Sequence, residues 1–271
     1  MDVIEANKII SAKAADSYDK LEPHFSSENK IKVKKILKNI RQKSGSKLLD
    51  LGCGTGFIIN LAKDLFDEIH GIDISDEMLK KVDTSSSNII LYNCMVEKLP
   101  FENEYFDVVS AYAVLHHLEN YEKALYEAFR VLKKNGYLYI GLEPNKNYFD
   151  LVAKYKEQKD SNYSEIVKKE ILSICYAKEK IEKDYGIDGD IFNLSEYTKS
   201  FYSGFDAKEF QKIIKKIGFN KCEVFYEWYP GQGRILHQQS ESDALIIDNY
   251  LQKLMPFSKC FYKYLKFIII K

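Results

Sequence analysis

Neither sign of charge prevails in this chain of 271 residues: 40 Lys and Arg stand against 40 Asp and Glu. A protein that grips nucleic acid needs a basic surplus to neutralise phosphate, so nucleic acid is not an expected partner. Arginine is scarce, with only Arg41, Arg130 and Arg234, so planar two-pronged phosphate clamps are scarce too. The cysteines are Cys53, Cys94, Cys175, Cys222 and Cys260, an odd number with no CxxC spacing. Neither a disulfide framework nor a cysteine zinc site is expected; no metal is expected, and a reducing, cytoplasmic setting is. No apolar run approaches the roughly 18 residues of a spanning helix. The opening MDVIEANKIISAKAADSYDK carries charges throughout and does not read as a secretory signal.

What the chain does have is a change of hydrophobic period. Ile31, Val33, Ile36, Leu37 and Ile40 recur at mostly helical spacing, so residues 1–45 read as a helical segment. After it come short apolar runs: SKLLDL (46–51), EIHGID (68–73), NIILYN (88–93), FDVVSAY (106–112) and GYLYIGL (136–142). Helical stretches separate them: FIINLAKDLF, SDEMLKKV and YEKALYEAFRVLKK. This alternation predicts an α/β, doubly wound sheet with helices on both faces and ligands at the strand C-terminal edge. It breaks at 144–205, a stretch rich in Lys, Glu and Tyr, read as an inserted helical cap. The core resumes at 206, where Asp206 and Glu209 make a capping box, Ile213, Ile214 and Ile217 an apolar face, and Gly218 a stop. KCEVFYEWY (221–229) and the final FYKYLKFIII are strand candidates, with a short helix near 243–254.

The segment LLDLGCGTG (48–56) runs from an apolar strand into Gly52, Gly54 and Gly56, and a helix follows at once. Glycines allow a sharp turn and the close approach of a ligand, and the exposed N–H groups of the next helix favour a polar or anionic group. A turn without a ligand is one reading; a dinucleotide site is another. Two details count against the dinucleotide. Phe57 stands where the third glycine of G-x-G-x-x-G would fall, and Asp50, just ahead of the turn, would repel a pyrophosphate. A carboxylate there suits a ligand with an ammonium and a sulfonium, which S-adenosylmethionine (SAM) has. Asp73 ends the next strand, 21 residues after Gly52, where it can accept both hydroxyls of a ribose.

LLDLGCGTG, GIDIS (71–75), EKLPFENEYFDVVSAYAVLHHL (97–118) and RVLKKNGYLYI (130–140), in this order, resemble the class I SAM-dependent methyltransferases. The branch is the small-molecule one of ubiquinone and menaquinone biosynthesis. The resemblance covers about 46–142, with weaker agreement at 206–229. It implies a seven-stranded Rossmann-like sheet, mostly parallel with the last strand antiparallel, made of 46–143 and 206–271. SAM would be the cofactor and S-adenosylhomocysteine (SAH) the product. Gly52, Cys53, Gly54 and Gly56 would line the methionine moiety, with Asp50 near its amino group and Asp73 on the ribose. Ile74 and Met78 would touch the adenine, although Met78 reads equally as helix core. The family often places an acid where this chain has Met95, so Val96 backbone groups or Glu97 would read the adenine amine instead. Tyr18 matches an aromatic residue that closes over the cofactor; packing of the N-terminal helix is the alternative.

Methyl transfer is an in-line displacement, so much of the catalysis can come from alignment and exclusion of water. A base is needed only if the acceptor loses a proton. Ala111, Tyr112, His116 and His117 fall at or past the end of the fourth strand, beside the methyl group in this fold. Tyr112, His116 and His117 are the candidate bases, the histidine pair being equally a scaffold. Glu143, ending the fifth strand, is expected either to hold an acceptor hydroxyl or to cap the adjacent loop. Tyr202, Arg234 and His237 are candidate substrate contacts from polarity alone. The place of a nucleic-acid amino-methylating [DN]PP[FYW] turn reads SAYA, so a small molecule is the expected acceptor: a quinone, a sugar, a lipid-linked glycan or another metabolite. Cap aromatics including Tyr148, Phe149, Tyr155, Tyr163, Tyr176, Tyr185 and Phe201 suit an apolar or ring-bearing acceptor, or form a small core of their own. Residues 251–271 hold five lysines and no acid, and read either as a solvated edge strand or as a peripheral contact with an anionic membrane. The rival functions are a non-catalytic SAM-binding protein and a nicotinamide-dependent oxidoreductase. Nothing in the sequence reports the oligomeric state.

Overall fold

The computed structural model describes residues 1–157, 162–174, 182, 186–232 and 239–271. Seven strands form one sheet: β1 (Lys47–Leu51), β2 (Glu68–Asp73), β3 (Ile89–Asn93), β4 (Phe106–Tyr112), β5 (Leu132–Pro144), β6 (Lys221–Glu227) and β7 (Tyr264–Ile270), in the order β3-β2-β1-β4-β5-β7-β6. The first five pair in parallel, and β7 runs antiparallel to both its neighbours. β1 is buried almost end to end, as a strand covered on both faces must be.

Twelve helices among the described residues need names. α1 (Val3–Ala14), α2 (Tyr18–Leu21) and α3 (Ser27–Arg41) precede the sheet, with a 3-10 turn at Pro23–Phe25. α4 (Phe57–Ala62) follows β1, α5 (Asp76–Leu79) follows β2, and α6 (Tyr121–Val131) follows β4. Between β5 and the return to the core lie α7 (Lys146–Glu157), α8 (Glu165–Ile174), α9 (Gly189–Ser195) and α10 (Tyr197–Tyr202). Then come α11 (Ala207–Ile217) and α12 (Glu241–Lys253).

Both sheet faces are packed. On one, Ala124, Leu125 and Ala128 of α6 and Phe210, Ile214 and Ile217 of α11 meet Leu49, Leu51, Val109 and Phe267. On the other, Val33, Leu37 and Ile40 of α3 and Ile58, Ile59 and Ala62 of α4 meet Leu48, Ile69 and Val108. α11 has the ends its sequence requires. Asp206 accepts from the N–H groups of Lys208 and Glu209, and Gly218 takes the left-handed conformation (φ 118°). A cap of this kind contributes about 1 kcal/mol.

The tail departs from expectation. β7 is an interior strand, lying between β5 and β6, and β6 is the edge. Three of the tail's five lysines are engaged: Lys266 pairs with Glu227, Lys263 with Glu170 and Lys271 with Glu104. No helix among the described residues is long and apolar enough to cross a membrane.

The order of strands reverses direction between β1 and β4. Their C-terminal ends diverge there and leave a crevice, the usual ligand site of open α/β sheets. Two other parts of the chain roof it. α1 packs on α9, and α10 packs on the 3-10 turn Leu115–His117 that follows β4.

Candidate functional site

The floor of the crevice is the turn after β1. Gly52, Gly54 and Gly56 have φ of 61°, 53° and 92°, a region that side-chain-bearing residues rarely adopt. A Cβ added at Gly54 would meet nothing within 4 Å, so this floor opens on free space. Asp73 closes one end. Its Oδ2 accepts from the Gly54 N–H (2.9 Å) and its Oδ1 from the Ser75 N–H (2.9 Å). Each oxygen keeps acceptor capacity for a hydroxyl. Asp50 lies beneath, 2 % exposed, with Oδ1 accepting from the Ser110 hydroxyl (2.7 Å). Burial, with the Asp73 charge added, pushes the Asp50 carboxyl up to about 7. Burial raises Asp73 too, against backbone N–H groups that favour its charged form. Two buried carboxylates that pair with no cation among the described residues, beside a side-chain-free floor, fit a ligand that brings positive charge and a diol, as SAM does.

Cys53 turns its side chain away from this floor into the core under Gly71, and Ala111 is wholly buried among core residues. Each therefore offers a ligand backbone atoms rather than its side chain. Met78 packs on Ala14, Ala15 and Tyr18, so it is core beneath the N-terminal segment. Ile74 and Glu97 are half-buried, Met95 is 38 % exposed, and Val96 joins the main core.

The roof begins with α2. Asp19 accepts from the Thr55 hydroxyl, which fastens the N-terminal segment to the glycine turn. Tyr18 is pushed far up by burial and by the charges of Glu22, Glu196, Asp73 and Asp19, so its phenol faces acids from three regions. His24, 3 % exposed, is set edge-on to Phe57 at the start of α4 (5.1 Å between ring centres) and near Tyr112 at the end of β4 (5.7 Å). That places it over the β1/β4 crevice. Its Nδ1 is buried without a hydrogen-bond partner and lies 3.7 Å from Glu22 Oε2.

Past β4, Glu143 organises the acceptor side. Its Oε1 accepts from the N–H groups of Val114 (3.0 Å) and Leu115 (2.9 Å), and its Oε2 from the His116 N–H (3.1 Å) and Nδ1 (2.9 Å). It is wholly buried. Of its two expected roles, Glu143 fills that of loop cap, and its oxygens are taken. His116 thereby directs Nε2 at Glu196 Oε1 (3.9 Å), while Lys199 pairs with Oε2 of the same carboxylate. Burial works against the charged imidazole, but Glu143 and Glu196 together hold His116 above its usual value. His117 donates from Nδ1 to the Ser195 carbonyl (2.7 Å), and burial with the neighbouring His116 lowers it to about 4. Tyr112 accepts from Asn29 Nδ2 (2.9 Å), and burial raises its phenol. All three expected bases thus have structural partners.

Tyr202 is exposed and lines a separate cavity of about 260 Å³ with Glu119 and Tyr121. Arg234, His237, Tyr176 and Tyr185 lie outside the described residues. Sequence reasoning missed Asp19, Glu22, His24, Glu196 and Lys199; the only local signal was the polar run YDKLEPHF directly before α3.

The methyltransferase domain family profile matches residues 49–140. The demethylmenaquinone methyltransferase of Staphylococcus carnosus is 30% identical over 215 residues, 77% of this chain and 82% of that protein. A tRNA (carboxymethyluridine(34)-5-O)-methyltransferase of Arabidopsis thaliana is 35% identical over 127 residues, 45% of this chain but 30% of that protein. Among solved structures, the plantazolicin methyltransferase BpumL in complex with SAH overlays with a TM-score of 0.58 at 15% identity, covering 99% of this chain and 96% of that one. The chain belongs to the class I SAM-dependent methyltransferases. It is accordingly an enzyme with SAM as its cofactor, and the nicotinamide and non-catalytic alternatives are not favoured.

Proposed function

We propose that this methyltransferase acts on a small-molecule acceptor held between the end of β4, the N-terminal segment and the α7–α10 insertion, which serves as its lid. The supporting observation is the pair of buried carboxylates, Asp50 and Asp73, flanking the bare glycine turn. On this reading Asp73 takes the ribose hydroxyls, Asp50 the amino group directly or through water, and Ile74 with the Val96–Glu97 stretch the adenine. Tyr18 closes over the nucleoside. The cofactor supplies an electrophilic methyl on a sulfonium; the protein aligns the acceptor behind it and keeps water out. Glu143 and His116 shape the loop below the acceptor, and Glu196 and Lys199 carry the lid onto that loop. The relatives that act on demethylmenaquinone support a quinone-sized acceptor, and the free thiols of Cys53, Cys94, Cys222 and Cys260 suit the cytoplasm. Calorimetry with SAM, SAH and NAD tests the donor site: SAM and SAH should bind and NAD should not. Tight binding of NAD would overturn the reading. Transfer of labelled methyl to a short-chain demethylmenaquinone, with other small metabolites in parallel, tests the acceptor.

A further inference from the structure

The N-terminal segment carries two groups that the donor site does not use. Glu22 is ranged round by Tyr18 and His24 of its own segment, His116 of the loop after β4, Glu196 and Lys199 of the insertion, and Tyr264 of β7. Tyr264 pairs with Pro144 at the C-terminal end of β5, so this surrounding marks the acceptor end of the crevice rather than the ribose end at β2. A third of the Glu22 side chain is accessible although it sits deep among other groups. His24 Nδ1 is buried and unpartnered 3.7 Å away, too far for a hydrogen bond to Glu22. A buried polar atom without a partner calls for an explanation. A hydroxyl suits both groups chemically, because it can donate to the carboxylate and accept from an imidazole N–H.

We propose that Glu22 is the general base of this enzyme, that His24 positions the acceptor against it, and that the acceptor is methylated on a hydroxyl oxygen. This rests on the SAM reading of the donor site and takes from the demethylmenaquinone relatives the acceptor's size alone, since that ring gains its methyl on carbon. The acceptor O–H bond breaks and its proton passes to the Glu22 carboxylate. The electron pair left on oxygen forms the bond to the methyl carbon, while the carbon–sulfur bond breaks and its pair stays on sulfur. Burial and the nearby Glu196 push the Glu22 carboxyl up to about 7, a value suited to taking a proton near neutral pH.

The test needs no knowledge of the acceptor. Sinefungin is a SAM analogue with an amine-bearing carbon in place of the methylsulfonium, so its ammonium projects where the methyl meets the acceptor. Calorimetry at pH 8 should find sinefungin bound about tenfold or more tighter than SAH, the worth of a charge-assisted hydrogen bond. Glu22→Gln should remove most of that preference and leave SAH affinity within about twofold, and Glu22→Asp should restore part of it. His24→Phe, which keeps the ring packing, should reduce the preference less. A preference unchanged in Glu22→Gln, or an equal loss of both ligands, would overturn the proposal alone. Wild-type protein that binds neither ligand would overturn the donor site as well.

Discussion

The two ends of the crevice are built differently. At the donor end, the glycine turn and the two carboxylates come from two neighbouring strand ends, β1 and β2, and are held largely by the core: Gly54 and Ser75 N–H groups on Asp73, and the ladder and the Ser110 hydroxyl on Asp50. At the acceptor end, side chains from the N-terminal segment, the loop after β4 and the insertion meet one another, and ion pairs hold them. The donor end is a rigid part of the sheet; the acceptor end exists only while three segments are docked. Specificity for the cofactor is therefore a property of the core, and specificity for the acceptor a property of the assembly.

Four measurements sharpen that contrast. The largest effect is expected at the one core residue that serves the acceptor end. Glu143→Ala leaves four donors unsatisfied and should destabilise the fold by about 3–5 kcal/mol in denaturant unfolding, as loss of one partner of a buried pair does. A loss under about 1 kcal/mol would mean that the loop is not held as described. Next, Asp73→Ala should weaken SAM and SAH binding by about 1.5–3 kcal/mol, the worth of charged hydrogen bonds, and unchanged affinity would refute the ribose assignment. Gly54→Ala forces a side chain at φ 53°, which costs about 1–2 kcal/mol of stability. Its methyl would also stand in the open floor, so SAH affinity should fall further than stability does. The smallest effect is one of pH. The folded Asp50 carboxyl, at about 7, lies above its ordinary 3.8, so its stability contribution is present at low pH and is lost as pH rises from about 4 to about 7. A cationic ligand favours the ionised form, so SAM affinity should rise between pH 6 and pH 8 with release of protons. Asp50→Asn should flatten that rise; a slope as steep as wild type would place the titration elsewhere.

The same contrast explains how much could be read from the sequence. LLDLGCGTG and GIDIS encode the donor end in contiguous residues, because a turn of positive φ and a carboxylate at a strand end are local requirements. The α11 capping box was legible for the same reason. His24 and Glu196 were not, because each matters only through a packing partner far away in the chain. The surroundings of the expected bases were hidden by the same logic. His116, His117 and Tyr112 sit at the right strand end, yet the sequence does not record that Glu143, Ser195 and Asn29 already occupy them. The interior place of β7 was also hidden, since its run of lysines reads as a solvated edge until Glu227, Glu170 and Glu104 are found opposite.

The bond from Thr55 to Asp19 has an implication for turnover. It pins the stretch carrying Glu22 and His24 across the mouth through which the nucleoside must pass. Loading and unloading the donor thus require that stretch to swing clear, and the acceptor's seat comes apart with it. An ordered sequence is then the expectation for product-inhibition kinetics: nucleoside first, acceptor second, methylated product out, spent nucleoside last.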